Sequence, residues 1–268
     1  MNTGSDRQNL KKPERHAQIL LELRLAPHVR ISDLAKTFGV TTETVRRDIA
    51  ELSAQGHLQK SHGGASPRAP GTHRVLNERQ RERVDERQKL AQLAVGLVDD
   101  GQSLMVDAGA TTMEFARALA ISGKTSTVIT NSLQVAMILG TSAVIRVLMT
   151  PGDYLNEEAA LTGTETCAFL RRYHVDACFV GASALDQSGV SESVAGFAEV
   201  KRTMIERCRA PNFLIDGSKF GKRHLAMVAE VGEIGTLITD TRPKGGLADA
   251  LQTHCVEALL PQGFAKPV

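Results

Sequence analysis

The stretch Val40–Ala50 reads Val-Thr-Thr-Glu-Thr-Val-Arg-Arg-Asp-Ile-Ala, and its pattern decides the fold of the N-terminal part of this chain. Val45, Ile49 and the following Leu52 recur at helical spacing, which predicts an amphipathic helix with one apolar face packed inward. A surface helix with a solvated, charged face would show the same spacing. The segments on either side therefore decide between an ordinary surface helix and a helix that binds DNA.

Hydroxyl and guanidinium groups occupy the polar face of this helix. Thr41 or Thr42 is expected to cap its N-terminus, because a hydroxyl accepts a hydrogen bond from the free N–H groups of the first turn. Arg46 and Arg47 can bind guanine or phosphate, and a threonine such as Thr44 can contact phosphate or a thymine methyl group. These residue types suit a helix that lies in the major groove of DNA.

Two further helices are predicted before this stretch. Pro13 suits a first helical turn, and the apolar residues from there to Leu25 recur at helical spacing. Ser32 is expected to cap a short helix that runs to Phe38, and Gly39 is expected to end that helix in a left-handed conformation. A short helix, a tight turn and a second helix with its polar face free form a helix-turn-helix.

A β wing is predicted after the stretch, since Gln55–Ala65 combines a short alternating segment with a Gly-Gly turn. Lys60 and His62 would meet the DNA backbone there. His62 is not expected to bind a metal, because no second ligand lies at zinc-like spacing. With its three helices the region is predicted to be a winged helix-turn-helix. Its expected DNA-binding residues are Ser32, Thr41, Thr42, Thr44, Arg46, Arg47, Lys60 and His62.

The distribution of charge agrees with this interpretation. Of the 268 residues, 42% are hydrophobic and 23% are charged, as in globular proteins. Residues 1–68 carry eleven Lys and Arg against seven Asp and Glu, a net charge of +4, and the rest carries 21 against 23, a net charge of −2. A basic N-terminal part favours a polyanion as its partner.

No targeting or membrane-spanning segment is expected. Residues 1–12 are polar, and no run approaches the roughly 18 apolar residues of a membrane span. The cysteines Cys167, Cys178, Cys208 and Cys255 are far apart and form no Cys-x-x-Cys pair, so neither disulfides nor a zinc site is predicted. We therefore expect a soluble, cytoplasmic protein without a membrane partner.

An α/β domain is predicted for the remainder of the chain. Strand-like apolar runs lie at Ser103–Val106, Thr127–Ile129, Val144–Met149, Ala177–Val180, Asn212–Ile215 and Thr236–Ile238. Helical patterns lie between most of them, at Met113–Ile121, Leu133–Leu139, Thr166–Tyr173 and Phe197–Cys208. This alternation indicates a largely parallel sheet. The predicted divisions are a winged helix-turn-helix at 12–68, a linker with a solvated, charged helix at 69–90, and the α/β domain at 91–262.

Small, polar and glycine residues follow the predicted strands, at the edge where open α/β sheets bind ligands. Gly109 would let a ligand approach the backbone closely. Thr111 and Thr112 add hydroxyls to a helix N-terminus, which suits a phosphate or carboxylate group. Lys201 or Lys219 could supply the balancing charge. Each segment alone could be ordinary turn and capping residues, but together they predict a pocket for a small anion. Its expected residues are Asp107, Gly109, Thr111, Thr112, Thr130, Asn131, Ser132, Gly152, Gly181, Lys201, Asp216 and Lys219.

Catalysis has weaker support in the sequence. Asp107, Asp216, Glu199 and Lys201 could form an acid–base set for moving protons on a sugar. However, the chain shows no nucleophile elbow, metal cluster or dinucleotide fingerprint. No catalytic residue, metal or cofactor is therefore expected. The alternative is a sugar-phosphate isomerase or transferase that carries an accessory DNA-binding head.

Along nearly its full length the chain resembles the DeoR family of bacterial transcriptional regulators. The N-terminal motifs that carry the resemblance are Ile31-Ser32-Asp33-Leu34-Ala35, Val40–Asp48 and His62-Gly63-Gly64-Ala65. The later motifs are Asp107-x-Gly-x-Thr-Thr112, Thr130-Asn131-Ser132, Asp176 with Phe179-Val180-Gly181, Glu199-Val200-Lys201, Asp216-x-Ser-Lys-Phe220 and Ile238-Thr239-Asp240. Several ordered motifs at family-like spacing make the resemblance specific.

The resemblance implies a winged helix-turn-helix followed by a sensor domain similar to ribose-phosphate isomerases and coenzyme A transferases. It also implies a repressor of a sugar-catabolic operon that responds to a phosphorylated sugar. We expect this repressor to be a homo-oligomer, because paired recognition helices would read a repeated or palindromic operator. Three residues depart from the family pattern: Ala110 replaces the usual threonine, Pro151 a usual glycine, and Ala184 a common glycine. Because these changes remove a hydroxyl and stiffen a turn, the resemblance predicts the role but not the effector.

Overall fold

The computed structural model of the chain describes residues 11–25, 29–54, 58–61, 63–67, 76–80 and 82–261. The chain divides into two compact units, an N-terminal unit (1–72) and a C-terminal unit (73–268). Buried apolar residues form separate clusters within each unit. Among the helices of the described residues, none is long and apolar enough to span a membrane.

The N-terminal unit contains three helices and a three-stranded antiparallel sheet. Its elements in chain order are α1 (Lys12–Leu25), β1 (Val29–Arg30), α2 (Ile31–Phe38), α3 (Thr42–Ala54), β2 (Leu58–Ser61) and β3 (Gly64–Pro67). The strand order is β1-β3-β2, and Ser61 pairs with Gly64 next to the turn of the hairpin. This arrangement confirms the predicted winged helix-turn-helix and adds β1, which the sequence did not predict.

The turn between α2 and α3 has the predicted geometry. Gly39 follows α2 with φ of +66°, in the left-handed region. Thr41 Oγ1 then accepts a hydrogen bond from the Thr44 N–H at 3.2 Å and caps α3. The predicted cap by Ser32 is wrong, because α2 already begins at Ile31 and the Ser32 hydroxyl donates to Asp33 Oδ1 at 3.1 Å.

The C-terminal unit alternates strands and helices. Its helices are α4 (Leu76–Gln80), α5 (Val84–Gly96), α6 (Ala110–Ile121), α7 (Leu133–Leu139), α8 (Thr164–Leu170), α9 (Ala195–Glu206) and α10 (Gly246–Thr253). Its strands are β4 (Gln102–Val106), β5 (Ser126–Thr130), β6 (Ile145–Met149), β7 (Asp153–Leu155), β8 (Ala160–Thr162), β9 (Val175–Gly181), β10 (Ala184–Asp186), β11 (Gly189–Glu192), β12 (Cys208–Leu214), β13 (Ala226–Ala229), β14 (Thr236–Ile238) and β15 (Glu257–Leu259). Short 3₁₀ helices lie at Asn156–Glu158, Gly217–Lys219 and Val231–Glu233.

A seven-stranded parallel sheet with the order β15-β14-β12-β9-β4-β5-β6 forms the centre of this unit. Successive strand side chains point to opposite faces, so Leu104 and Val106 belong to one buried cluster and Met105 to the other. Helices α5, α6 and α7 contribute to the first cluster, and α8, α9 and α10 to the second. The chain runs in opposite directions across the sheet from the β4–β9 pair, which makes a crevice at that point the expected ligand site.

All six predicted strands and all four predicted helices of this unit are present; α7 and β14 have the predicted ends, and the others have shifted ends. The largest shift is at Cys208, which begins β12 instead of ending a helix. Two smaller antiparallel sheets, β7-β8 and β10-β11-β13, were not predicted. Within the segment predicted as a linker with a solvated helix, Leu76–Gln80 forms α4 and Val84 begins α5. Leu76 is buried in the core, so the first part of this segment is not solvated.

Candidate functional site

The exposed face of α3 carries the two predicted DNA-binding arginines. The side chains of Arg46 and Arg47 are 63% and 79% exposed, and both lie near Glu43 on the same helix, at 3.3 and 3.8 Å. On the opposite face Val45 and Ile49 are buried in the core of the unit. The helix therefore presents two cationic side chains to solvent from a well-packed base.

Asp48 anchors α3 to α1, which sequence reasoning missed. Its carboxylate accepts hydrogen bonds from Arg15 Nε at 2.8 Å and Nη2 at 3.2 Å, and lies 3.2 Å from Nε2 of His16. Asp48 is 2% exposed. The sequence did indicate that Asp48 is buried, because it falls on the apolar face of the helix, three residues after Val45.

The other predicted DNA-binding residues are distributed around α3 and the wing. Thr41 and Thr42 are exposed, and Thr44 is half-buried with its hydroxyl 2.9 Å from that of Thr41. Ser32 on α2 and Lys60 on β2 are exposed. His62 lies outside the described residues. The contacts that these residues make with DNA stay a prediction.

A pocket opens at the β4–β9 crevice of the C-terminal unit. It encloses about 480 Å³ of empty space, part of it open to solvent. The residues that line it are Arg79, Arg87, Ala108, Gly109, Ala110, Thr111, Glu158, Gly181, Ala182, Glu192, Phe197, Lys201, Asp216 and Lys219. They come from the carboxyl ends of β4, β9 and β12, from β11, from α4, α5, α6 and α9, and from the 3₁₀ helices Asn156–Glu158 and Gly217–Lys219.

A buried lysine between two carboxylates forms the acidic part of the pocket. Lys201 Nζ lies 3.0 Å from Asp107 Oδ2, donates to the Gly181 carbonyl at 2.7 Å and makes a close ion pair with Glu192. Glu192 also accepts from the Ser183 hydroxyl. Burial raises the pKa of Asp107 above its usual range. Burial also acts to raise the pKa of Glu192, but the charge of Lys201 together with the hydrogen bonds from Lys201 and Ser183 outweighs burial, and the pKa is lowered.

Three cationic side chains form the basic part of the pocket. Arg79 pairs closely with Glu158, and Arg87 donates to the backbone carbonyls of Arg79 and Glu82. Burial lowers the pKa values of both Arg87 and Lys219, and the charge of Arg79 lowers them further. Free N–H groups at the N-terminus of α6 add further donors nearby. This part of the pocket can therefore hold an anion.

The structure brings six of the twelve predicted ligand-binding residues into the pocket wall: Gly109, Thr111, Gly181, Lys201, Asp216 and Lys219. Asp107 lies directly behind the wall through its ion pair with Lys201, and its Oδ2 accepts from the Gly181 N–H at 3.2 Å. Its other oxygen, Oδ1, is buried without a hydrogen-bond partner among the described residues. Buried polar atoms are usually paired, so Oδ1 is a candidate acceptor for a ligand hydroxyl.

Five predicted residues do not line the pocket and have structural contacts instead. The Thr112 hydroxyl is buried and donates to the carbonyls of Asp107 and Gly109 at 3.0 and 3.1 Å. Gly152 has φ of +142°, and a Cβ there would lie 2.0 Å from Thr166 Oγ1. The close approach of Thr166 in α8 thus explains Gly152, and neither Thr112 nor Gly152 lies in the pocket wall.

The turn after β5 accounts for the remaining three. Thr130 Oγ1 accepts from the Ser132 N–H at 3.1 Å, and Ser132 Oγ caps α7 by accepting from the Val135 N–H at 3.2 Å. Asn131 Nδ2 donates to the Leu161 carbonyl at 2.9 Å. These side chains build the turn, which is the ordinary role of such residues after a strand.

Sequence reasoning missed four charged residues of the pocket. Arg79 and Arg87 belong to the segment that was interpreted as a linker, and Glu158 and Glu192 lie in elements that were not predicted. For the arginines a signal existed, because Arg87 is three residues before the buried Leu90 and shares its helical face. For the two glutamates no sequence signal marks them as buried.

The candidate catalytic set does not assemble. The Glu199 side chain is 57% exposed and pairs with Arg202 at 2.6 Å, outside the residues that line the pocket. Asp107 and Lys201 are already paired with each other. In the described part of the chain, no group of three or more His, Cys, Asp or Glu side chains is arranged to hold a metal ion.

The sequence of both units matches a known family of regulators. Residues 15–68 match the DeoR-like helix-turn-helix domain, and residues 82–241 match the DeoR C terminal sensor domain. The chain belongs to the DeoR family. It is therefore a DNA-binding transcriptional regulator and not an enzyme, and the resemblance expected from its motifs is confirmed.

Characterised DeoR-family proteins align with most of the chain. The HTH-type transcriptional repressor CsqR of Escherichia coli (strain K12) is 28% identical over 92% of this chain and 95% of its own length. The glycerol-3-phosphate regulon repressor of the same organism is 25% identical over 92% and 98%. The HTH-type transcriptional repressor GlcR of Bacillus subtilis (strain 168) is 29% identical over 93% and 96%.

Among solved structures, part of this DeoR-family chain is similar to a ribose 5-phosphate isomerase A from Methanocaldococcus jannaschii. The identity is 22% and the TM-score 0.39, over 51% of this chain and 54% of that one.

Proposed function

We propose that this protein represses genes for sugar catabolism by binding their operator DNA and that a phosphorylated sugar releases it. The aligned DeoR-family relatives support the first part, because they are named transcriptional repressors and one is the glycerol-3-phosphate regulon repressor. The exposed arginines of α3 support the assignment of this helix to the major groove.

The observation that carries the effector class is the composition of the pocket. Its cations Arg79, Arg87 and Lys219 suit a phosphate group, which accepts several charge-assisted hydrogen bonds. The Glu192 carboxylate in the pocket wall suits the hydroxyl groups of a sugar, which donate hydrogen bonds. A ligand that carries phosphate and several hydroxyls would satisfy both sets.

We infer that the protein acts in the cytoplasm as a homo-oligomer, a dimer or a tetramer. A repeated or palindromic operator would then be read by paired copies of α3, one for each half-site. Binding of the sugar phosphate would change the relative placement of the two N-terminal units and weaken their simultaneous contact with DNA.

The experiment that tests this function measures operator binding by fluorescence anisotropy, with DNA fragments selected by the wild-type protein from a genomic pool. Replacing both Arg46 and Arg47 with alanine should weaken specific binding by about 30-fold or more, since each arginine–base contact contributes about 1–3 kcal/mol. Melting temperature should stay unchanged, because both side chains are exposed.

The matched control is Arg146→Ala, which removes an exposed arginine from β6 and should leave operator binding unchanged. A panel of pentose and hexose phosphates is then added to the wild-type complex, and at least one should release the DNA. Undiminished operator affinity in the Arg46/Arg47 variant would refute the α3 assignment. Failure of every sugar phosphate to release DNA would refute the effector class.

A further inference from the structure

An ion pair between Arg79 and Glu158 lies in the wall of the pocket. Arg79 is near the end of α4, and Glu158 belongs to the 3₁₀ helix between β7 and β8. Their side chains are 19% and 4% exposed, and both line the pocket. The Glu158 carboxylate therefore neutralises a cation of the basic part of the pocket.

A phosphate group would be a stronger partner for Arg79 than this carboxylate. Phosphate has three oxygens that accept hydrogen bonds, and the planar guanidinium of an arginine can donate to two of them. Arg87 and Lys219 line the same pocket and could contact the same group. Glu158, in contrast, would lie close to a second anion and be repelled by it. Phosphate and Glu158 should therefore compete for Arg79.

We propose that Arg79 binds the phosphate group of the effector and that Glu158 occupies Arg79 in its absence. This inference rests on the proposed sugar-phosphate effector and identifies the residue that recognises its phosphate. The ligand class is a phosphate monoester that displaces Glu158.

The position of Arg79 links this exchange to the N-terminal unit by sequence. Residues 68–75 alone separate β3 from α4, so α4 is the first described element of the C-terminal unit. The Arg87 guanidinium holds the backbone carbonyls of Arg79 and Glu82, which ties the end of α4 to α5. If Arg79 loses its ion pair with Glu158, α4 loses one of the contacts that hold it in place. The exchange is thus placed where it can alter the chain that leads to the DNA-binding unit.

The test uses inorganic phosphate as the probe and the full-length protein without DNA. Thermal stabilisation is measured against phosphate concentration at constant ionic strength, with chloride as the balancing anion. Arg79→Gln should weaken phosphate binding by about tenfold or more, because it removes a charge-assisted contact. Glu158→Gln should strengthen binding severalfold, because it removes the competing carboxylate. The two variants of one ion pair are therefore expected to act in opposite directions.

Two further variants control for structural effects. Arg79→Lys keeps the charge and should recover part of the affinity that Arg79→Gln loses. Arg117→Gln removes another ion-paired arginine, 2.5 Å from Glu114 and outside the residues that line the pocket, and should not change phosphate binding. If Arg79→Gln does not fold, the inference is tested by whether Glu158→Gln strengthens or weakens phosphate binding.

The inference is overturned if Glu158→Gln weakens phosphate binding as Arg79→Gln does, since Glu158 would then only position Arg79. It is also overturned if the wild-type protein does not bind phosphate. Neither result depends on operator DNA. The release of operator by sugar phosphates tests the proposed function separately, so the two failures are distinguishable.

Discussion

Lys201 is the counter-charge that Asp107 and Glu192 share, and all three side chains are at most 5% exposed. Two carboxylates at this depth would be strongly disfavoured without a cation between them. Burial acts to lower the pKa of Lys201, but the charges of Asp107 and Glu192 outweigh it and raise the pKa, so the lysine stays protonated at neutral pH. The charges of Asp107 and Glu192 are thus balanced by the buried lysine between them.

Replacing Lys201 with methionine should lower the free energy of unfolding by about 3–5 kcal/mol at pH 7, because it leaves two buried carboxylates unpaired. Their pKa values in the folded variant would rise above those of the unfolded chain. The folded variant therefore binds more protons, and its stability increases as the pH falls from 7 towards 5. Urea denaturation at pH 7 and pH 5 measures the free energy of unfolding. Lys244→Met, which replaces an exposed lysine, is the control. A loss of stability that is the same at both pH values would contradict the electrostatic account.

Neighbouring threonines show how far single residues can be interpreted from sequence. Thr111 and Thr112 were both predicted to bind the ligand, yet Thr111 lines the pocket and Thr112 is buried. The sequence shows two hydroxyls at a helix N-terminus, which suffices to predict an anion site. Which hydroxyl faces the pocket depends on how α6 packs on the sheet, and that is a tertiary property.

The turn between α2 and α3 is the element on which the orientation of α3 depends. Gly39 has φ of +66°, and a Cβ at this position would meet no atom within 4 Å. The need for glycine is therefore conformational, since side chains disfavour the left-handed region. This turn was predicted from sequence because its chemistry is local.

Gly39→Ala should destabilise the N-terminal unit by about 1 kcal/mol, the cost of a left-handed alanine. Gly96→Ala is the matched control, because Gly96 lies at the end of α5, has no positive φ and has open space at its Cβ position. It should instead stabilise the C-terminal unit by up to about 1 kcal/mol, as alanine favours helix. Thermal unfolding of both variants measures the difference. Effects of the same sign would show that the backbone conformation at Gly39 is not the cause.

At the scale of the whole molecule, the proposed homo-oligomer makes a geometric prediction about DNA. Paired copies of α3 reach two half-sites on one face of the duplex only when their spacing is near a whole number of turns, about 10–10.5 base pairs each. Inserting 5 base pairs between the half-sites should therefore weaken binding strongly, and inserting 10 should restore part of it. Anisotropy measures the affinities and sedimentation measures the oligomer. Equal binding to all three spacings, or a monomer on DNA, would contradict the proposal.

The sequence by itself determined the winged helix-turn-helix, the parallel α/β sheet and the edge of that sheet at which the pocket lies. These follow from helical and strand periodicity, capping residues and glycine turns, all of which act over a few residues. Only the tertiary structure decided which residues form the pocket. Arg79 and Glu158 are 79 residues apart and meet because α4 packs beside the β7–β8 connection. Local patterns carry no information about such a contact, since packing of distant elements sets it.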